Sequence, residues 1–206
     1  MKTPAAHAAA ANRAGQVRLP RPNGRVRVLG VDPAAAGPTG YGVVETDGRE
    51  FHMLRFGTLA AARRGNRAGF AARLREIHEL VCGLIAEYAP DAVAVESAFT
   101  ALNMRTALLL AEVRGVVQLA AAQGNVPVSS YSPREVKACV AGYGHASKQQ
   151  MQIMVRAMLG MKQTPEPADA ADALAIALCH IHTSRARARL EAIAPRPSSK
   201  PGNRLE

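Results

Sequence analysis

The chain has 206 residues and a formal net charge of +10, a length that suits one domain with a full core and is short for two. No stretch contains the roughly 20 apolar residues that a membrane span requires. The three cysteines are widely spaced and form no C-x-x-C pair, which argues against a disulfide framework or a zinc site. These features predict a cytoplasmic protein with reduced thiols and one folded domain.

The positive charge is concentrated at the two ends of the chain. Residues 1–25 contain five Lys or Arg and no acid, and residues 184–206 contain six Lys or Arg and two acids. Residues 26–183 are nearly neutral, with 15 basic and 14 acidic residues. We therefore predict a disordered basic N-terminal arm over 1–25, a folded domain over 26–183 and a disordered basic C-terminal tail over 184–206. These two basic segments either add salt-sensitive affinity for a polyanionic partner or only increase solubility.

The folded region opens with three predicted strands. The stretch 27–31, apolar after Arg27, predicts a buried strand that ends at Asp32, because the following Pro33 cannot donate to a sheet ladder. A second strand is predicted over 40–45, and Asp47-Gly48 is a hairpin signal before a third strand over 51–59. This pattern predicts an antiparallel start to the sheet.

Helices and strands alternate after this opening. Apolar residues at helical spacing predict a helix over 66–88, with charged residues such as Arg73 and Arg75 on its other faces. A short buried strand follows over 91–96 and ends at Glu96; we expect it to be parallel to its neighbour. The predicted helix over 104–123 has a wide apolar surface, part of which we expect to pack on another subunit.

The last third of the domain is predicted to be mainly helical. A strand over 126–131 contains a proline, which favours a position near the sheet edge. Ser132, Pro133 and Glu135 form a strong helix start, and two more helices are predicted over 147–159 and 168–182. The resulting order, β-β-β-α-β-α-β-α-α-α, predicts an α/β fold with a mixed sheet flanked by helices.

Four acids stand at positions where they can meet. Asp32 and Glu96 each end a core strand, where a carboxylate has no helix to cap, and strand ends are common sites in such sheets. Asp169 and Asp172 are three residues apart in the first turn of the last helix, where capping alone also favours acids. Carboxylates gathered in one place require cations, and oxygen ligands suit Mg²⁺ or Mn²⁺. The matching chemistry is two-metal phosphodiester hydrolysis.

Five sequence motifs, in order and with matching spacing, resemble the RuvC Holliday-junction resolvases over about residues 27–182. They are Val28-Leu29-Gly30-Val31-Asp32-Pro33, Thr39-Gly40-Tyr41-Gly42-Val43, Val93-Ala94-Val95-Glu96 with Phe99, Arg114-Gly115-Val116 and Ala168-Asp169-Ala170-Ala171-Asp172-Ala173-Leu174-Ala175. The resemblance implies a single-domain ribonuclease H-like fold. It also implies a Mg²⁺-dependent homodimeric endodeoxyribonuclease that resolves four-way DNA junctions in recombination and repair by paired symmetric nicks.

The resemblance also implies roles for individual residues. Its catalytic and metal-binding acids match Asp32, Glu96, Asp169 and Asp172, which would hold two Mg²⁺ ions per subunit, with Mn²⁺ able to substitute. Phe99 matches an aromatic residue that family members push against junction bases, and Lys137 and Lys148 match residues that meet phosphates near the cut. Arg105 and Arg134 are further candidates for phosphate contacts. A branch-migration helicase complex is the implied partner, and no membrane is involved.

The loop after Asp32 departs from the family pattern. Ala34 and Ala35 stand where the family usually has glycine, and the segment Ala34–Pro38 is about one residue longer. A displaced Asp32 would leave a catalytically silent junction-binding dimer, which is one alternative to an active resolvase. A RuvC-like nuclease acting on RNA is another. An actin-like sugar kinase or ATPase is disfavoured, because the sequence has neither a Gly-rich phosphate loop after Asp32 nor a second domain.

Overall fold

The structure, a computed structural model, describes residues 24–35, 37–60, 67–97 and 103–193. The strands are β1 (Val26–Asp32), β2 (Thr39–Thr46), β3 (Phe51–Leu59), β4 (Ala92–Glu96) and β5 (Val128–Tyr131). The helices are α1 (Arg67–Tyr88), α2 (Met104–Gln123), α3 (Pro133–Ala141), α4 (Lys148–Met158) and α5 (Ala168–Ile193). The predicted order of elements is confirmed. Within the described ranges, no helix is both long enough and apolar enough to cross a membrane.

The five strands form one mixed sheet in the order β3-β2-β1-β4-β5. The first three strands are antiparallel, and β4 pairs with β1 and β5 in parallel. Both the antiparallel opening and the parallel direction of β4 agree with the sequence prediction, as does the edge position of β5. The central strand β1 therefore lies between β2 and β4, and its carboxyl end carries Asp32 next to the carboxyl end of β4.

The alternation of side chains along the strands separates two cores. Val28 and Ala94 face one side of the sheet, where they pack with α3, α4 and α5. Leu29 and Val93 face the other side, where they pack with α1 and α2. Because side chains alternate with a period of two, Asp32 shares the face of Val28 and Glu96 shares the face of Ala94. Both strand-end acids consequently lie on the side of the sheet that α5 covers.

The last helix is longer than the sequence analysis predicted. The predicted end at 182, and with it the assignment of 184–193 to a disordered tail, is wrong, because α5 continues to Ile193. The sequence analysis took the charge of this segment as a sign of disorder, yet Arg, Ala, Leu and Glu are strong helix formers. Arg185 also donates a hydrogen bond to the carbonyl of Gly48 in the β2–β3 turn. Of the predicted arm over 1–25, the structure describes Gly24 and Arg25, and Arg25 Nη1 donates a 2.8 Å hydrogen bond to Glu45. Residues 1–23 and 194–206 lie outside the described residues.

Two further expectations are settled by burial. The three cysteines are free thiols as predicted, with Cys179 fully buried and the other two partly buried.

The sequence analysis assigned Arg73 to a polar face of α1. This prediction was wrong, because only 1% of the residue is exposed. Its side chain points towards the loop that follows β1, where backbone carbonyls accept its hydrogen bonds.

Candidate active site

Helix α5 lies directly on β1 and β2 because three glycines leave room for it. A Cβ atom on Gly30 would stand 2.0 Å from the carbonyl oxygen of Ala173, and one on Gly40 would stand 2.0 Å from the carbonyl oxygen of Asp169. A Cβ on Gly42 would stand 2.7 Å from the Leu174 side chain. Glycine in a strand interior often marks such a close approach. These contacts fix the first turn of α5 against the end of β1.

Three of the four predicted acids meet at this junction of sheet and helix. Asp32, Asp169 and Asp172 can each place one carboxylate oxygen so that all three oxygens lie within 4.8 Å of one another. Asp32 comes from the end of β1, and the two others come from the first turn of α5. The unusual loop after Asp32 therefore leaves this carboxylate within the acid cluster.

The fourth acid, Glu96, lies beside the cluster rather than within the same 4.8 Å. It lines a cavity of about 100 Å³ together with Asp32, Asp172 and Lys137. Apolar residues from α4 and α5, such as Met151 and Ile176, also line this cavity. Three of the four predicted acids thus line one small, partly enclosed space at the carboxyl ends of β1 and β4, and Asp169 lies beside Asp32 and Asp172 in the acid cluster.

Burial and repulsion between neighbouring acids raise the pKa values of Asp32, Glu96 and Asp172. Burial, followed by the charges of Glu96, Asp172 and Asp169, raises the pKa of Asp32 to about 8. Burial also raises the pKa of Glu96, with the charge of Asp172 adding to the effect. The pKa of Asp172 is raised mainly by burial, although Lys148 opposes the shift. Clustered acids of this kind are typical of functional sites.

Lys148 is the cation in direct contact with the cluster. Its Nζ lies 3.1 Å from Oδ2 of Asp172. Lys148 is the first residue of α4, whose start is fixed by a capping box between Ser147 and Gln150. Lys137 lines the cavity from α3 and lowers the pKa values of Glu96 and Asp172 by its charge, against their net upward shifts. The two lysines singled out in the sequence therefore both lie beside the acids.

The donor set of the cluster fits a hard divalent cation. Its ligands are carboxylate oxygens, which suit Mg²⁺ and Mn²⁺, and His or Cys ligands are absent from the group found within the described part of the chain. Burial, the largest cause, and repulsion by the neighbouring acids together raise the pKa of Asp32, and a divalent cation bound there would favour its ionised form. The residues present therefore fit a metal ion held by Asp32, Asp169 and Asp172, with Glu96 beside it.

The other candidates for DNA contact are less directly placed. Phe99 lies outside the described residues. Arg105 is in the first turn of α2, and Arg134 donates a 2.9 Å hydrogen bond to Nε2 of His145.

The predicted capping box that starts α3 is present, since Ser132 Oγ accepts from the backbone N–H of Glu135 at 3.2 Å.

Sequence reasoning missed two kinds of residue that shape the site. The three glycines that leave room for α5 were recognised only as parts of sequence motifs. Their close contact with this helix was not predicted. Their occurrence inside predicted strands was an available signal, because glycine weakens a strand unless something approaches it closely. Arg73, which holds the loop after Asp32, gave no local signal, because an arginine among other charged residues on a helix usually faces solvent.

Comparison with known proteins adds an independent line of argument. The family model for "Crossover junction endodeoxyribonuclease RuvC" matches residues 28–180. A protein of Syntrophomonas wolfei with that same name is 41% identical over 144 residues, which cover 70% of this chain and 81% of that protein.

Solved structures agree with this relationship. The Thermus thermophilus RuvC structure aligns with a TM-score of 0.71 and 34% identity, covering 79% of this chain and 97% of that one. T. thermophilus RuvC in complex with Holliday junction substrate aligns with a TM-score of 0.73 and 35% identity, covering 79% and 96%. The expected ribonuclease H-like fold is thereby confirmed. With a family match over most of its length, this chain is a member of the crossover junction endodeoxyribonuclease RuvC family.

Proposed function

We propose that this chain is a metal-dependent endodeoxyribonuclease that resolves four-way DNA junctions by paired, symmetric nicks. The observation that carries the proposal is the convergence of acids from β1, β4 and α5 on one partly enclosed space. Membership of the RuvC family supports the reaction class, and the solved relative in complex with Holliday junction substrate supports the substrate. Homologous recombination and DNA repair are the processes that such an activity serves.

In this proposal the acids are the catalytic residues. Asp32, Asp169, Asp172 and Glu96 would hold two Mg²⁺ ions, for which Mn²⁺ can substitute. When bound, such ions activate water and stabilise the attacking and leaving oxygens of an in-line displacement at phosphorus. The role of the acids is to ionise and to fix the positions of the ions.

Lys137 and Lys148 would bind phosphates next to the cut. Both are close enough to the acids to meet a phosphate held there. Each ammonium offers three donors and one positive charge. Phe99 follows β4 by three residues, and we assign to it the contact with junction bases that the family resemblance implies.

The functional unit in this proposal is a homodimer, because two symmetric nicks require two sites. Helix α2 supplies a suitable surface. Its Val113 and Val117 are buried within the subunit, whereas Met104 is 74% exposed and Leu108 is 59% exposed. Exposed apolar side chains on one helix are typical of an interface with a partner.

The basic segments at the two ends of the chain would add salt-sensitive DNA affinity. A branch-migration helicase complex would deliver the junction in the cytoplasm.

The decisive test is cleavage of an end-labelled four-way junction and of a matched linear duplex, in Mg²⁺ and in EDTA, by the wild type and by Asp169→Asn. We expect symmetric nicks on the junction alone, with loss of cleavage in EDTA and in the variant. Tight junction binding without nicks in Mg²⁺ or Mn²⁺ would contradict the nuclease and support a silent binding dimer. If the protein neither binds nor cuts the junction, both ideas fail, and RNA substrates become the next to examine.

A further inference from the structure

Arg73 is a buried cation that is bonded to the loop following Asp32. Only 1% of the residue is exposed. Its Nη2 donates to Thr39 Oγ1 at 3.1 Å and to the carbonyl of Ala34 at 3.4 Å, and it also donates to the carbonyl of Gly37. Its Nη1 donates to the carbonyl of Ala60 at 2.7 Å. One guanidinium therefore ties together both ends of the β1–β2 loop and the end of β3.

Among the described residues, the acceptors of its hydrogen bonds are all neutral oxygens, although the charge of Glu76 also favours its protonated form. Burying a charge without a carboxylate partner costs free energy, even where hydrogen bonds compensate in part. The Nε atom of Arg73 is also buried with no acceptor. Such an arrangement is a poor way to stabilise a fold. What it provides instead are hydrogen bonds to Ala34, Gly37 and Thr39, on both sides of the bend after β1.

That loop begins one residue after a proposed metal ligand. Asp32 is the last residue of β1, and Pro33 and Ala34 follow it directly. The prolines at 33 and 38 have no backbone N–H with which to hold the loop. This is also the segment in which the chain has alanines where its family usually has glycine. Arg73 thus supplies donors to a segment in which two of the six residues from 33 to 38 have no backbone N–H.

We propose that Arg73 is a positioning residue that fixes the carboxylate of Asp32 by clamping the segment from Ala34 to Thr39. The inference rests on the proposed function, since it assigns to Arg73 an effect on that same site. A guanidinium with donors on two Nη atoms is required, because Nη1 donates to the end of β3 while Nη2 donates to the loop after β1 and to Thr39. A lysine at this position would keep the charge but could not span the same set of acceptors.

The test compares Arg73→Lys with Arg75→Lys in the full-length protein. Arg75 is on the same helix, with 73% of its side chain exposed, so its replacement controls for a loss of arginine in α1. Three quantities are measured: kcat and KM for junction cleavage, Mn²⁺ affinity by electron paramagnetic resonance, and amide hydrogen exchange of the metal-free protein. For Arg73→Lys we expect kcat to fall about a hundredfold with KM unchanged and Mn²⁺ affinity to fall about tenfold.

Hydrogen exchange separates positioning from a general loss of stability. We expect faster exchange in peptides covering residues 32–42 of Arg73→Lys and unchanged exchange in α5. Faster exchange throughout the sheet and α5, or wild-type values of kcat and Mn²⁺ affinity, would overturn the inference. If the wild type does not cleave junctions, the proposed function fails, but Mn²⁺ affinity and local exchange still decide whether Arg73 positions Asp32.

Discussion

Asp32 and Gly40 lie opposite each other on the antiparallel strands β1 and β2, and the space where a side chain of Gly40 would stand is filled by the main-chain carbonyl of Asp169. Because Gly40 has no side chain, the first turn of α5 can approach β2 closely, and this brings Asp169 near Asp32. The contact is between backbone atoms, which cannot move aside as a flexible side chain can. The geometry of the acid cluster consequently depends on a residue that carries no functional group.

We predict that Gly40→Ala separates α5 from the end of β1. The new Cβ would be 2.0 Å from the Asp169 carbonyl oxygen, so the first turn of α5 must shift. Overpacking of this kind costs about 1–3 kcal/mol of unfolding free energy, and a displacement of about 1 Å at the site lowers kcat about a hundredfold. Urea denaturation and junction cleavage measure the two effects.

Gly83→Ala is the matched control for this substitution. Gly83 is exposed on α1, and a Cβ there would meet nothing within 4 Å. Because alanine is the better helix former, this variant should gain about 0.5–1 kcal/mol and cleave as the wild type does. Equal activity of Gly40→Ala and Gly83→Ala would show that the close approach of α5 is unimportant for cleavage.

Lys148 occupies the acid cluster in a way that competes with a metal ion. Its Nζ is 3.1 Å from Asp172, and this contact has to be weakened when a divalent cation binds there. Lys148→Gln should therefore bind Mn²⁺ about two- to fivefold more tightly, the range for an exposed ion pair worth about 0.5–1 kcal/mol. The same variant should cleave more slowly, because it has lost a phosphate contact.

Titration calorimetry with Mn²⁺ and single-turnover cleavage measure these opposite changes in Lys148→Gln. Lys162→Gln serves as the control, because Lys162 lines a different cavity with Phe56 and Glu166. A loss of Mn²⁺ affinity in Lys148→Gln, with Lys162→Gln unchanged, would mean that Lys148 helps to hold the metal rather than competing with it.

Glu45 should contribute to the pH dependence of stability. Burial alone would raise its pKa, but hydrogen bonds from Arg27 at 2.6 Å and Arg25 at 2.8 Å lower the pKa below its ordinary value of 4.5. A carboxyl group whose pKa is lowered by folding stabilises the protein above its unfolded-state pKa, and this stabilisation is lost as the pH falls through the folded-state pKa.

We therefore expect Glu45→Gln to lower the free energy of unfolding at pH 7 by about 1–3 kcal/mol and to make the acid limb of the stability profile shallower. Urea denaturation between pH 7 and pH 3 measures both. Glu50→Gln is the control, since the Glu50 side chain is 75% exposed. The interpretation is wrong if the difference between wild type and Glu45→Gln is the same at pH 3 as at pH 7.

The proposed dimer can be tested on α2. Leu108 is 59% exposed, and a glutamate there would place a charge in an apolar interface, where it is costly unless paired. We expect Leu108→Glu to sediment as a monomer at concentrations where the wild type is a dimer. Ile153→Glu replaces a side chain of similar exposure, 52%, on α4 and should leave the dimer intact. Dissociation by both variants, or by neither, would contradict an interface centred on α2.

The order of elements and the meeting of the acids could be predicted because both follow from local patterns. Alternation and helical spacing identify the strands and helices, and the parallel direction of β4 brings Asp32 and Glu96 to the same edge. The i, i+3 spacing of Asp169 and Asp172 places them on one face of α5. What these patterns do not fix is distance, so the placement of Glu96 beside the other three acids rather than among them emerged only from the structure.

The remaining features depend on contacts between residues far apart in sequence. The burial of Arg73 depends on carbonyls 36 and 39 residues away, which helical periodicity does not register. The extension of α5 to Ile193 follows from helix propensity in a segment whose charge suggested disorder. The need for glycine at the three positions beneath α5 becomes clear only from the α5 atoms that lie next to them.

The position of α5 has a consequence for how the protein is made. Two of its proposed metal ligands come from the last helix, more than 130 residues after Asp32. A ribosome must therefore release nearly the whole domain before the acids can assemble, and a truncated or degraded chain that keeps β1 and β4 lacks half of the site. Under the proposed function, a chain that stops before α5 therefore cannot hold its metal ions and cannot cleave DNA.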